Sequence, residues 1–391
     1  MGYYLYLPAV MLDRDITMER TAERSFVDRT GEMQGVQRVP PRDHYLDKYP
    51  LGEAIMLVPF FVLGDAAARV VGARTDGFST PYQWAAAAAG LVYALLGLAV
   101  LGFLLLRWFS RVTVVLTLLA LTFGTGLFHY ATYDAVFSHA FSFFLVAVIF
   151  RLAVSVCDRP HPWNAAALGL ASGLLAAVRP TNVVILVFVS LLGITRLHDA
   201  RQRIGALRRH SHLLALGMAA FVVPLLPQVA YWHVITGKFF VYAYGDEHLD
   251  LLRPHLFSVL FSVRKGLFFW APLLLLAVVG LSYLRRYAPE TFVPAVAYLA
   301  VSTWVIASWS TWWYGGSLGQ RAFVETLPVF ALGLAALVET VQERIRRVVL
   351  LSLVGALTLL GVHNMVAYWL LEIPFDLTTW DTYVRSFGMY G

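Results

Sequence analysis

Ten long apolar stretches joined by short polar connections dictate what this chain of 391 residues can fold into. They run at roughly 84–106, 112–130, 135–155, 164–178, 181–195, 212–236, 267–284, 291–308, 322–341 and 348–370. An α-helix rises about 1.5 Å per residue, so about 20 apolar residues cross a hydrocarbon core about 30 Å thick. Most of the stretches reach or approach that length; the fourth and fifth are short and read as tilted or re-entrant. Composition points the same way. With 59% apolar and 14% charged residues and a mean hydropathy of +0.67, too much apolar surface exists for one soluble core to hide. Lipid offers no partner to a free backbone N–H or C=O, which restricts such runs to helices. The expected fold is all-α and polytopic, with about ten transmembrane helices in a single membrane domain over residues 1–391.

Charge on alternate connections sets the orientation. One set of loops carries Arg107, Arg111, Arg151, Arg159, Arg196, Arg201, Arg203, Arg208, Arg209, Arg285, Arg286, Arg344, Arg346 and Arg347 against only Asp158, Asp199, Glu290, Glu339 and Glu343. Positively charged loops stay on the cytoplasmic side. The net charge of +6 therefore reflects topology, and nothing else supports a nucleic-acid partner. The single Cys157 excludes a disulfide framework.

The opposite, outer side gathers the polar segment 13–50 and the loops near 131–134, 237–266 and 309–321, together with the tail 371–391. Residues 51–72 contain Glu53, Pro59, Asp65 and Arg69, which limit the clean apolar run to about Ala54–Gly64; an interfacial helix on the outer face suits that length. The transmembrane bundle then occupies 84–370. Ionisable groups at the ends of spans are costly there and are functional candidates. Asp134 lies in a tight turn, His139 one turn into the next span, Arg179 inside a hydrophobic hairpin and Arg321 at the start of a span. Each has a plain structural alternative: a helix N-cap near Ala135 for Asp134, helix packing for His139, and snorkelling to lipid phosphates for Arg179 and Arg321. For Trp313 and Tyr314 the plain alternative is an interfacial aromatic belt.

Several passages in order resemble the polyprenol-dependent membrane glycosyltransferases of the GT-C fold, a superfamily that includes protein O-mannosyltransferases and lipid A aminoarabinose transferases. They are Tyr3-Tyr4-Leu5-Tyr6-Leu7-Pro8 with Asp13-Arg14-Asp15, Asp47-Lys48-Tyr49-Pro50-Leu51-Gly52, Tyr133-Asp134 with Ser138-His139, and Val178-Arg179-Pro180-Thr181-Asn182. Lys265-Gly266-Leu267-Phe268 with Trp270 and Pro272, and Trp313 through Gly316 with Gly319-Gln320-Arg321, complete the set. The resemblance implies an inverting transfer of a sugar from a polyprenyl-phosphate donor to an acceptor glycan, lipid or protein, at the outer face of a bacterial inner membrane. It also implies that an outer-face carboxylate assists the acceptor hydroxyl. Asp134 leads the candidates for that role, followed by Asp13 and Asp15, for which capping a turn is the alternative. Lys48, matching the family's phosphate-side Lys, joins Arg179 and Arg321 as cations for the donor phosphate. His139, Trp313 and Tyr314 are the candidates for sugar or acceptor binding.

The departure is at the start. Family members deliver their catalytic Asp on a full first span, but here only about twelve apolar residues precede Asp13, and these reach about 18 Å as helix against about 30 Å of hydrocarbon. The expectation is that Met1 is internal to a longer gene, with that helix and its base upstream; the alternative is that Asp13 or Asp15 has taken the role. No metal or other cofactor is expected, because His44, His248 and His255 stand apart without ligand spacing. Two other readings stay open: a transporter or flippase, which would need ionisable residues near the midplane, and a non-catalytic binder of lipid-linked sugars.

Overall fold

The computed structural model describes residues 2–24, 35–39, 44–195, 199, 205 and 208–390. Parts of the 13–50 segment, and Arg196, Arg201 and Arg203 of the arginine-rich loops, lie outside them.

Helices dominate, and among the described residues six are long and apolar enough to span a bilayer: Thr80–Leu105, Ser138–Asp158, Ser211–Thr236, Pro289–Ala307, Arg321–Thr340 and Arg344–Trp369. The protein is an all-α, polytopic integral membrane protein. The expected count of about ten includes shorter apolar helices, and local chemistry explains where they stop. The 112–130 stretch divides at Gly124-Thr125-Gly126 into Arg111–Phe123 and Leu127–Thr132. The 267–284 stretch, uninterrupted as an apolar run, breaks at Ala271-Pro272 and again after Leu281, leaving Leu267–Trp270, Leu273–Leu281 and Leu284–Tyr287. Pro272 has no N–H to give an earlier carbonyl, and it disfavours helical backbone at Ala271, whose φ of −134° and ψ of 65° lie outside the helix. Pro162–Val178 and Pro180–Leu191 are the expected short pair, and residues 2–12 form a short apolar helix.

Burial orders these helices. In Arg321–Thr340 94% of the apolar window is buried, against 11% in Arg344–Trp369, so the first is the central post and the second an outer flank of the described bundle. Small residues permit the closest crossings: Gly169 and Gly173, one turn apart, receive the backbone of Gly217 and Phe221 where a Cβ would collide.

The ends of the bundle are chemically distinct. At one end Arg107 forms a forked ion pair with Asp158, the Trp108 indole donates to Glu290 (2.9 Å) and the Ser110 hydroxyl donates to Glu339 (2.9 Å). These contacts bring the connections near 107–111, 158, 290 and 339 to a common end. Residues 44–52, 133–139, 179, 247, 265, 309–326 and 375 gather at the other. There the antiparallel pair β1 (Val36–Val39) and β2 (His44–Asp47) leads into the helix Gly52–Val70, which packs along Thr80–Leu105 and against Gly2–Leu7.

Candidate functional site

Arg179 is placed by the residue that follows it. Pro180 disfavours helical backbone in its predecessor, and Arg179 accordingly turns extended (φ −148°, ψ 110°), ending the helix Pro162–Val178. Its Nη1 lies 3.0 Å from Glu325 Oε1. His139, in the first turn of Ser138–Asp158, puts Nδ1 3.1 Å from that same oxygen and 3.2 Å from Arg179 Nη1. A guanidinium only donates and a carboxylate only accepts, so Nδ1 serves one partner at a time, donating to Glu325 or accepting from Arg179. Glu325 and His139 are buried, and Glu325 Oε2 has no hydrogen-bond partner among the described residues.

Two further carboxylates close in from the 44–53 segment. A Cβ on Gly52 would strike the backbone of Ala177 and Val178; its absence lets the helix Gly52–Val70 begin against the end of Pro162–Val178. This brings Glu53 into the electrostatic field of Arg179. Glu53 is fully buried, both carboxylate oxygens lack a hydrogen-bond partner among the described residues, and burial holds its carboxyl well above the usual range. Asp47 accepts from the Tyr49 N–H (2.9 Å) through Oδ1, while Oδ2 is buried without a partner among the described residues; burial pushes this carboxyl up to about 7. Beside it Lys48 pairs with Glu247 (3.3 Å) and lies 5.4 Å and 5.6 Å from the ring centres of Tyr49 and Tyr244. Glu247 also accepts from Trp309 (3.1 Å) and Thr311 (3.2 Å).

Arg321 sits differently. Its guanidinium lies 5.1 Å from the Phe137 ring centre, Nε is buried without a partner, and no carboxylate lies in ion-pair reach among the described residues. Together with Leu267, Trp270, Leu274, Leu327 and Met365 it lines a mainly apolar cleft of about 480 Å³, open mouth included. A second cleft, about 370 Å³ on the same measure, joins Arg179 and Tyr314 to Thr181, Asn182, Tyr298 and Ser302. Tyr314 adopts a left-handed backbone (φ 56°), uncommon for a ring-bearing residue, and its hydroxyl donates to the Ile306 carbonyl (3.3 Å). One face of Trp313 is covered by Arg264 at 4.0 Å, itself held by Asp376 (2.8 and 3.0 Å).

The remaining carboxylates named from the sequence lie in turns. Asp134 is not the N-cap of the following helix, a position Phe137 occupies; its Oδ2 lies 2.9 Å from His129 Nε2. Asp13 accepts from the Thr21 hydroxyl, and Asp15 from the hydroxyl and N–H of Thr17 and the N–H of Arg20. Although partial burial works the other way, these bonds leave Asp15 below the ordinary carboxylate value.

The structure thus brings Arg179 and His139 together, places Tyr314 in the cleft beside Arg179, and sets Arg321 against Phe137, whose ring stacks on His139. Sequence reasoning missed Glu325, Glu53 and Asp47. A usable signal existed for Glu325, an acid within the apolar stretch 322–341, since such a group marks a functional position. Among the described residues no three His, Cys, Asp or Glu side chains converge closely enough to hold a metal ion.

The fold has counterparts among solved structures. In particular, the chain superposes on the crystal structure of ArnT from Cupriavidus metallidurans in the apo state with a TM-score of 0.54 at 17% identity, covering 94% of this chain and 60% of that one. The structure of the same protein bound to undecaprenyl phosphate gives 0.55 at 16% identity, over 87% and 57%. The likeness is one of fold, and the chain spans about 60% of the length of its neighbour. No family model matches the chain, and no curated protein matches it.

Proposed function

We propose that this protein is a glycosyltransferase that moves a sugar from a polyprenyl-phosphate donor to an acceptor hydroxyl at the outer face of a bacterial inner membrane. The observation that carries the reading is Arg321: a cation with no carboxylate partner among the described residues, lining a mainly apolar cleft, suits an amphiphile with an anionic headgroup. The neighbouring fold, crystallised with undecaprenyl phosphate, supports the same chemistry. Lys48 and Arg179 join Arg321 at the donor phosphate, each able to exchange its carboxylate partner for phosphate oxygens. His139, Trp313 and Tyr314 face the sugar and acceptor.

In the transfer, the acceptor oxygen forms a bond to the anomeric carbon while the bond from that carbon to the phosphate oxygen breaks. The electron pair leaves with the lipid phosphate, where the cations stabilise it. The acceptor proton passes to a carboxylate, with Asp134 as the first candidate and Asp13 and Asp15 as the others. Attack opposite the leaving group inverts the anomeric centre.

The test is reconstitution in nanodiscs with labelled polyprenyl-phosphate sugars and, separately, undecaprenyl phosphate. Arg321→Ala is expected to weaken lipid-phosphate binding about tenfold to a hundredfold, the loss of one charged hydrogen-bonding group, and Asp134→Asn to lower turnover with binding retained. Donor binding that ignores Arg321, Lys48 and Arg179 together, or lipid movement across the bilayer without any sugar transfer, overturns the proposal.

A further inference from the structure

One buried arrangement beside the site remains without a role. His129, on the short helix Leu127–Thr132, is completely buried, with Tyr133 and Trp369 stacked around it at ring-plane angles of 23° and 20°. Trp369 closes the helix Arg344–Trp369, and its indole Nε1 lies 2.8 Å from His129 Nδ1. An indole N–H can only donate, so Nδ1 is the acceptor and the imidazole hydrogen resides on Nε2. That N–H points at Asp134 Oδ2, 2.9 Å away. The turn is also fixed from its backbone: the Asp134 N–H donates to the His129 carbonyl (3.1 Å) and the Phe137 N–H to the Asp134 carbonyl (3.0 Å). Tyr130 packs edge-on against both His129 and His139, and its hydroxyl donates to the Leu318 carbonyl (3.1 Å) while accepting from the Leu318 N–H (3.0 Å). The loop leading to Arg321 is thereby tied to the same ring stack.

With both nitrogens engaged, His129 has no free lone pair or hydrogen to offer a substrate. We propose that Trp369 and His129 are positioning residues for Asp134: the indole N–H selects the imidazole tautomer, and the imidazole N–H holds Oδ2 so that Oδ1 is presented to the acceptor hydroxyl. The proposal rests on the reading that Asp134 acts on that hydroxyl. Asp134 retains one quarter of its side-chain exposure, which leaves that second oxygen accessible.

The test has an arm that needs no turnover. In protein carrying nitrogen-15 histidine, with the His129 resonances assigned by their loss in His129→Gln, the native spectrum is expected to show hydrogen on Nε2 and none on Nδ1. Trp369→Phe keeps the stacked ring but removes the indole donor, and is expected to yield mixed tautomers. A native Nδ1–H, or a tautomer unaltered in Trp369→Phe, overturns the proposal. In the turnover arm, His129→Phe is expected to lower kcat about tenfold or more, the scale on which an acid–base group is disturbed, with acceptor KM little changed. His129→Gln, whose amide N–H reaches the Nε2 position, is expected to recover most of that loss. Equal kcat in the Phe and Gln variants, both binding undecaprenyl phosphate normally, also overturns it. Full activity in Asp134→Asn would instead defeat the parent reading, and the spectra still decide whether the donor chain exists.

Discussion

Removing the charge of Lys265, or titrating it, tests how the segment 371–376 is held over the site. The Lys265 side chain is completely buried; Nζ donates to the carbonyls of Ser317 and Phe375 (2.6 Å to the latter) and lies 5.9 Å and 6.0 Å from the ring centres of Trp270 and Tyr368. The nearby Asp376 is taken by Arg264, and no carboxylate among the described residues forms an ion pair with the ammonium. Burial pulls its pKa down from 10.5 to about 7, a difference worth about 5 kcal/mol at about 1.36 kcal/mol per pH unit. When the segment lifts away, Lys265 meets water and returns toward its ordinary value. Between about pH 7 and 10.5 the closed form therefore binds fewer protons than the open one, and closure strengthens as pH rises across that window; below about pH 7 it stays at its weakest. From about pH 7 to about pH 9 opening is expected to become rarer by up to about a hundredfold. Limited proteolysis of residues 371–391 reports this open population when closing is faster than cleavage. Lys265→Met, measured alongside to cancel the protease's own pH dependence, is expected to lose the slope. An identical slope in Lys265→Met, or attachment that loosens as pH rises from 7 to 9, refutes the reasoning.

Glu325→Gln leaves the Arg179 guanidinium without its carboxylate and is expected to destabilise the protein by about 3–5 kcal/mol; Arg179→Met combined with Glu325→Leu should regain much of that in thermal unfolding while sugar transfer stays lost. Gly52→Val drives a side chain into the backbone of Ala177 and Val178, and its expected outcome is a loss of monodisperse protein or, where it folds, weakened donor binding through displacement of Glu53 and Lys48. Asp47 has a folded value of about 7 against 3.8 for an exposed carboxyl, so the folded protein retains a proton that the unfolded chain gives up. Stability is expected to fall as pH rises from about 4 to about 7, and Asp47→Asn should flatten that part of the thermal-denaturation profile.

Several of these residues could be singled out without a structure. Arg179 and Arg321 are legible because a cation in an apolar run is rare, and His139 because it lies one turn inside a span. Their partners are not legible: Glu325 is 186 residues from His139 and 146 from Arg179, and only the packing of three helix ends brings the groups into contact. The same holds for Trp369, which reaches His129 across 240 residues. Asp134 was visible as an acid in a tight turn, but its orientation depends on that distant indole.

By itself the sequence determined that this protein lives in a bilayer as helices and which connections share an end, because lipid penalises every unpaired backbone group and positive loops stay on the cytoplasmic side. These are one-dimensional properties, set by run length and charge count. Tertiary structure alone decided which helices are central, where Pro272 interrupts an apolar run without ending the fold, and which charges are paired. Arg179 is matched by Glu325 and Lys48 by Glu247, whereas Arg321 has no carboxylate partner among the described residues. The physical reason is range. An ion pair or hydrogen bond acts over a few ångströms in space and carries no mark of its partner's place along the chain.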